Sequence, residues 1–401
     1  MQIAYAKYLL TPHTIEQDMA IAYDKEIIAI APLEKLRAQF PSAEIHDYGN
    51  AALLPTFANP HVHLEFSANR ATLSYGDFLV WLYSVIEHRE DLLPRCEKEC
   101  LEEAIKQILH SGTSAIGEIS SYGEEMELCA ASPLRVHFFN EIIGSNPAAA
   151  DVMYASFIER YARSKKLESP TFKAGIAIHS PYSVHYILAK KALEIAKRDN
   201  ALVSVHYAES RAEREWLDHA TGPFKKFFKE LLGQSTPANE PMRFLELFQD
   251  LRTLFVHMIN TTDKERELLK NFDATIIHCP VSNRLLGNGV LDIDALHNPY
   301  TLATDGLSSN YSLNMYEEMR AALFMHPYKN AVTFAKDLIV KSTDFSHEIL
   351  GFPGGKIAPG LPANFQIVDI PDDLRAREEI YLHIILHTQL PRKVIIDGTE
   401  L

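Results

Sequence analysis

Short apolar runs alternate with longer stretches of helical periodicity along most of the chain. That is the pattern of a parallel α/β sheet whose strands are buried on both faces. Eight such runs stand at residues 53–57, 114–119, 135–139, 173–178, 202–205, 253–256, 275–277 and 300–303. Polar residues follow them in turn: His61 and His63, Ser120, Asn140 and Glu141, His179, His206, His257, His278 and Asp305. A structural histidine can stand anywhere, but here polar chemistry recurs at the carboxyl end of one strand after another. In a (β/α)8 barrel those ends converge on one face, where the active site lies. The expected fold is therefore α/β, a (β/α)8 TIM barrel. A doubly wound open sheet is the second reading. It would spread these residues along a crevice, and no glycine fingerprint for phosphates accompanies it.

Outside the barrel the pattern changes. Residues 1–52 read as short strands at 2–10, 18–23, 26–31 and 44–47 around one helical piece at 33–40, too little to bury a core alone. The C-terminal end carries matching runs at 364–370 and 393–396. They follow a linker marked by Gly351-Phe352-Pro353-Gly354-Gly355 and Pro359-Gly360. The expectation is a small β-sandwich-like domain assembled from residues 1–52 and 356–401, attached to a barrel spanning 53–355.

Composition narrows the function. The 401 residues are 47% hydrophobic and 23% charged with net charge -14, which argues against nucleic acid, since phosphate neutralisation needs basic surface. No apolar run has membrane-spanning length, and Met1-Gln2-Ile3-Ala4-Tyr5 lacks a basic leader, so a cytoplasmic location is expected. Cys96, Cys100, Cys129 and Cys279 read as reduced thiols rather than a disulfide framework.

The chemistry centres on the stretch from Leu53 to Phe66. An apolar run there breaks at Asn59-Pro60 and delivers His61 and His63, which an extended backbone points the same way. Two imidazoles so placed make half of a metal site. His206 ends one strand, His257 another, and Asp305 sits just past the last. An ion held by His61, His63, His206 and Asp305, either Zn²⁺ or Fe²⁺, would lower the pKa of bound water toward neutrality. Asp305 could both touch the metal and take the proton of that water. Glu209, three residues beyond a ligand, suits a proton shuttle and equally suits a solvated helix N-terminus.

Pro60-His61-Val62-His63, His206-x-x-Glu209, His257 and Thr304-Asp305-Gly306 resemble the amidohydrolase superfamily, in its cytosine-deaminase-like branch of mononuclear aminohydrolases. The resemblance covers almost the whole chain, and Lys356–Gly360 with Ala363–Asp369 is similar to the turn into that family's C-terminal strands. Within the branch, the runs at 53–55, 63–67, 179–184, 279–286 and 303–310 look closest to the 6-aminodeoxyfutalosine deaminases of the futalosine route to menaquinone. The resemblance implies that His61, His63, His206 and Asp305 are metal ligands and that His257 orients the bound water. It makes Glu209 the acid for the ring nitrogen and Asp305 the carrier of the water proton toward ammonia. His179 resembles the position that bonds the purine ring. Binuclear relatives carry a bridging lysine at the end of strand four; here Lys173 stands at its start, so one metal is expected.

The implied substrate is a purine nucleoside whose ribose carries an aryl-ketone arm ending in a carboxylate. In residues 77–84 and beyond, Trp81 is a candidate stacking wall, and Glu87 or Glu90 a candidate acceptor for ribose hydroxyls. The bland alternative is an amphipathic helix burying Phe78, Trp81, Leu82 and Val85 with its acids solvated. Arg284 and Arg89 are candidates for the carboxylate, with Arg284 the better placed, and a surface ion pair is its alternative. Ser308 belongs to the 303–310 run and completes the expected substrate residues. Adenosine or S-adenosylhomocysteine deamination and triazine dechlorination are the nearest rival activities; a non-catalytic scaffold is the distant one. Homo-oligomers are common among such barrels, but no interface is legible.

Overall fold

A computed structural model describes residues 1–12, 14–96, 98–371 and 374–401. Eight parallel strands form one sheet in sequence order: β1 (Phe57–Val62), β2 (Thr113–Ser120), β3 (Arg135–Ile142), β4 (Phe172–Ile178), β5 (Val203–Tyr207), β6 (Thr253–His257), β7 (Ala274–His278) and β8 (Tyr300–Leu302). Helices cover the outside, so this is the expected barrel. The seam between β8 and β1 is closed just beyond β8. Asp305 N donates to His61 O at 3.1 Å, Thr304 N donates to Asn59 Oδ1 at 3.1 Å, and Asn59 Nδ2 donates to Thr304 Oγ1 at 2.7 Å.

Most strands run further than their apolar cores suggest. Ser120, Asn140, Glu141, His206, His257 and His278 lie inside strands rather than after them, because the backbone ladder pairs whatever the polarity of the side chains it carries. Nor does Asn59-Pro60 end β1. The register against β2 shifts between Asn59 and Val62, a bulge that absorbs a proline without an N–H. Gly117 makes room for it: a Cβ there would sit 2.2 Å from Pro60 O.

The run expected as the first barrel strand is divided. Residues 53–55 belong to Ala51–Pro55, a strand of a six-stranded sheet that also contains Tyr8–Leu10, Ile15–Gln17, Phe365–Asp369, Lys393–Ile396 and Thr399–Glu400. Gln2–Tyr5, Met19–Tyr23, Ile27–Pro32 and Glu44–Asp47 make a second sheet of four strands. Ala51 and Leu53 face the core between the two sheets, with Ile21, Tyr23, Phe365 and Ile367. Ala52 and Leu54 face the other way and join the cluster of the barrel's helices. Buried on both faces, this strand has the apolar signature of a barrel strand, which is why its pattern misleads.

Candidate metal centre and cavity

The carboxyl ends of the barrel strands bring the expected residues together. His61 Nε2 lies 3.2 Å from His206 Nε2, and Asp305 Oδ1 lies 3.6 Å from the Nε2 of both His61 and His63. Ligand nitrogens of His61, His63 and His206 all fall within 4.8 Å of one another. His206 Nδ1 donates to His179 O at 2.8 Å, so its Nε2 lone pair faces His61. Two nitrogens so placed suit a shared cation, and a tetrahedral centre with Zn–N near 2.0–2.1 Å has ligand edges of roughly 3.3 Å. Three neutral imidazoles and one carboxylate are thus a donor set that fits a divalent ion.

Electrostatics prepare the same set. Burial, helped by the neighbouring His61, pushes His63 down to about 3, and burial likewise holds His206 well below the ordinary histidine range. Burial alone would raise the Asp305 carboxyl, but its contacts with His61, His63 and His257 outweigh it and hold it well below the usual range. Its Oδ2 accepts from Ser282 Oγ at 2.9 Å and its Oδ1 from Gly306 N at 2.7 Å. Glu209 goes the other way. Burial first, then the charges of Asp305 and Glu213, raise it well above the carboxylate range, which favours its protonated form. His257 Nε2 stands 3.7 Å from Glu209 Oε1 and 3.9 Å from Asp305 Oδ2, while its Nδ1 is tied to Asn283 Oδ1 at 2.9 Å. Ala208, His257, Met258 and Asp305 all have positive φ, between 51° and 71°, a conformation non-glycine residues rarely adopt. Such strain at strand ends is held by the surrounding fold; His257 and Asp305 line the cavity, while Ala208 and Met258 pack in the core.

These groups form one end of a cavity of about 460 Å³. His179 lines it, with Nδ1 held by Ser183 Oγ at 2.6 Å. Helix Phe78–Arg95, capped by Asp77 accepting from Leu79 N and Val80 N, forms a wall through Trp81, Leu82, Val85, Ile86 and Arg89. Trp81 Nε1 donates to Ser308 O at 2.7 Å, and Ser308 also lines the cavity. Three expected substrate residues stand elsewhere. Glu87 is exposed off that helical stripe, as is Glu90, and neither lines the cavity. Arg284 is exposed on helix Pro280–Leu285, because Ser282 and Asn283 take the inward positions. Of the two arginines, Arg89 lines the cavity and Arg284 does not. The residue sequence reasoning left without a role is Glu141, buried on the cavity wall; its signal was the polar pair Asn140-Glu141 at a strand end. Lys173 sits at the opposite end of β4, where its Nζ donates to Gly351 O.

Residues 52–401 match the amidohydrolase family, and the chain belongs to it. More particularly, it is 59% identical to the aminodeoxyfutalosine deaminase of a Nitratiruptor species, over 100% of this chain and 99% of that protein. It is 31% identical to a Helicobacter pylori protein named adenosine deaminase, over 95% of this chain and 94% of that one. The crystal structure of Helicobacter pylori aminofutalosine deaminase in complex with methylthio-coformycin superposes with a TM-score of 0.93 at 30% identity, covering 100% of both chains.

Proposed function

We propose that this chain is a metal-dependent hydrolytic deaminase of an adenine nucleoside, converting 6-amino-6-deoxyfutalosine to futalosine and ammonia. The observation that carries the reaction class is the buried Glu209 on the cavity wall, its Oε1 3.7 Å from His257 Nε2, which itself stands 3.9 Å from Asp305 Oδ2. His61, His63, His206 and Asp305 would hold one divalent ion, Zn²⁺ or Fe²⁺, and the position of Lys173 favours one rather than two. When bound, such an ion supplies Lewis acidity and lowers the pKa of water toward neutrality. The chain's own residues do the rest. His257, its Nδ1 tied to Asn283, turns Nε2 toward both carboxylates and orients the attacking water. Asp305 takes that water's proton. Glu209 gives its proton to the ring nitrogen as the amino-bearing carbon becomes tetrahedral, which neutralises the charge that builds there. As the carbon–nitrogen bond breaks, the proton held by Asp305 leaves with ammonia, and the hydroxyl proton of the tetrahedral carbon passes to Glu209, which restores the acid and leaves the carbonyl. His179 bonds the purine.

The identity with the Nitratiruptor deaminase supports the particular nucleoside. The cavity suits its arm: beyond the metal end the walls are apolar, with Ile86, Ala149, Met153, Phe227 and Leu232, and Arg89 stands among them to pair a carboxylate. Trp81 is the stacking wall. This substrate would place the chain in the futalosine route to menaquinone. The second reading is an adenosine-type deaminase, favoured by the name of the Helicobacter pylori relative. An ultraviolet assay on metal-replete protein decides between them by comparing kcat/KM for 6-amino-6-deoxyfutalosine, adenosine, 5′-methylthioadenosine and S-adenosylhomocysteine. A strong preference for the first, reduced by Arg89→Met with adenosine turnover unchanged, is expected. Equal rates on all four would discard the futalosine reading and keep the deaminase.

A further inference from the structure

Among the described residues, three buried carboxylates line the cavity, and the chemistry above uses two of them, Glu209 and Asp305. The third is Glu141, 2% exposed near the end of β3. The strand's alternation aims it. Asn140 turns away to bond Ser164 Oγ at 2.8 Å on the outer helix, so Glu141 turns to the barrel mouth. A carboxylate oxygen of Glu141 comes within 4.8 Å of nitrogens of His179 and His206. It therefore stands beside the purine contact.

Its two oxygens are not alike. Oε2 accepts from Ser121 Oγ at 2.6 Å, whereas Oε1 is buried with no hydrogen-bond partner. The support around it is built. Glu65 Oε1 accepts from Ser121 N at 2.6 Å and Tyr122 N at 2.7 Å, fixing the turn that presents the Ser121 hydroxyl. Arg160 Nη2 donates to the Glu141 carbonyl at 2.6 Å, which secures the strand end and leaves the carboxylate to face the cavity. A buried carboxylate oxygen without a donor is costly to leave unpaired. A ligand that brings an O–H to it recovers that cost and gains a charge-assisted bond.

On the reading that the substrate is an adenine nucleoside, the base's amino group is spent at the metal end and His179 takes the purine. The next donors outward are the ribose hydroxyls. We propose that Glu141 is the ribose-binding residue, its carboxylate turning to accept from the 2′- or 3′-hydroxyl. This moves the ribose contact from helix Phe78–Arg95, where Glu87 and Glu90 are exposed, to the end of β3. The enzyme thereby distinguishes ribonucleosides from their deoxy forms.

The test compares kcat/KM for the best nucleoside substrate with that for its 2′-deoxy and 3′-deoxy analogues, in the wild type, Glu141→Gln and Ser121→Ala. The wild type is expected to lose about 10- to 100-fold when one of the two hydroxyls is removed, the cost of an unmade bond to a buried charged group. Glu141→Gln should be slower on the ribonucleoside and discriminate by no more than about 2-fold; Ser121→Ala, which leaves Glu141 in place, should keep the penalty. Metal content should be one ion per chain in all three. Equal rates of the wild type on all three nucleosides, or an undiminished penalty in Glu141→Gln, would overturn the assignment even if that variant folded poorly, since the first comparison needs no variant. Two ions in the wild type with one lost in Glu141→Gln would overturn it too, by making Glu141 a ligand. No turnover of any nucleoside would instead bring down the deaminase reading on which the assignment rests.

Discussion

Glu209 and Asp305 are two carboxyl groups in one cavity whose surroundings drive their proton affinities apart, a divergence that suits the acid and base roles proposed for them. Burial dominates at Glu209, while at Asp305 the surrounding imidazoles overcome it. Glu209→Gln keeps the shape and the hydrogen bond that Asn288 Nδ2 makes at 3.2 Å but has no proton to give. It should retain metal and lose about 10²- to 10⁴-fold in kcat; near-normal turnover with full metal occupancy would remove the shuttle. The residue types of this centre were readable from the chain because metal chemistry needs histidine and carboxylate at strand ends. Arg89 and Arg284 were not separable that way. Both are cationic and both follow a barrel strand, and only helix phase puts Arg89 on the cavity wall and Arg284 on the outside.

At the scale of the element, β1 does more than carry two histidines. Its bulge at Pro60 reorganises the pairing with β2, and the seam bonds of Asn59 join it to the turn that delivers Asp305. The bulge leans on Gly117, where a methyl group would meet the Pro60 carbonyl oxygen at 2.2 Å and cannot displace backbone. Gly117→Ala should therefore destabilise the protein by about 2 kcal/mol or more and weaken metal binding, because His61 follows the bulge directly. A urea midpoint and a bound-metal assay check this. Wild-type values in both would mean that β1 is free to shift. The element boundaries were legible to within a few residues at the N-terminal ends of strands, where apolar side chains begin. The C-terminal ends were read short, because Ser120, Glu141, His206 and His257 are polar for reasons of chemistry while their backbones still pair.

The whole molecule is layered, with the six-stranded sheet lying between the four-stranded sheet and the barrel, so its middle strand is buried on both faces. Away from the metal centre the interior also encloses further histidines, among them His137 and His347. His137 bonds the Leu350 carbonyl and stacks on Phe139, while His347 bonds the Thr343 carbonyl and Ser114. Burial pushes each down to about 4, only partly opposed by those bonds; Lys173 and Arg252 lower His137 further, and Arg135 lowers His347. Each folded value lies below the unfolded one of about 6.5, so their contribution is complete above pH 6.5 and is lost as pH falls toward 4. The loss reaches about 3 kcal/mol for each group. The urea midpoint of the wild type should fall between pH 7 and pH 4.5, and His137→Gln should show a shallower fall. An identical slope in that variant would mean that His137 titrates normally in the fold.

The order of apolar runs along the chain was enough to determine a parallel barrel with chemistry on one face, because a strand buried on both sides must be apolar and a metal must be met by imidazole and carboxylate. Tertiary structure alone decided where the barrel begins, since Ala51–Pro55 and Phe57–Val62 are equally apolar and only their partners differ. It likewise decided which of Asn140 and Glu141 faces the ligand, because two adjacent polar residues carry no mark of direction until the strand is placed in the sheet. It decided the raised proton affinity of Glu209 as well, which burial among neighbouring carboxylates creates and no local pattern encodes.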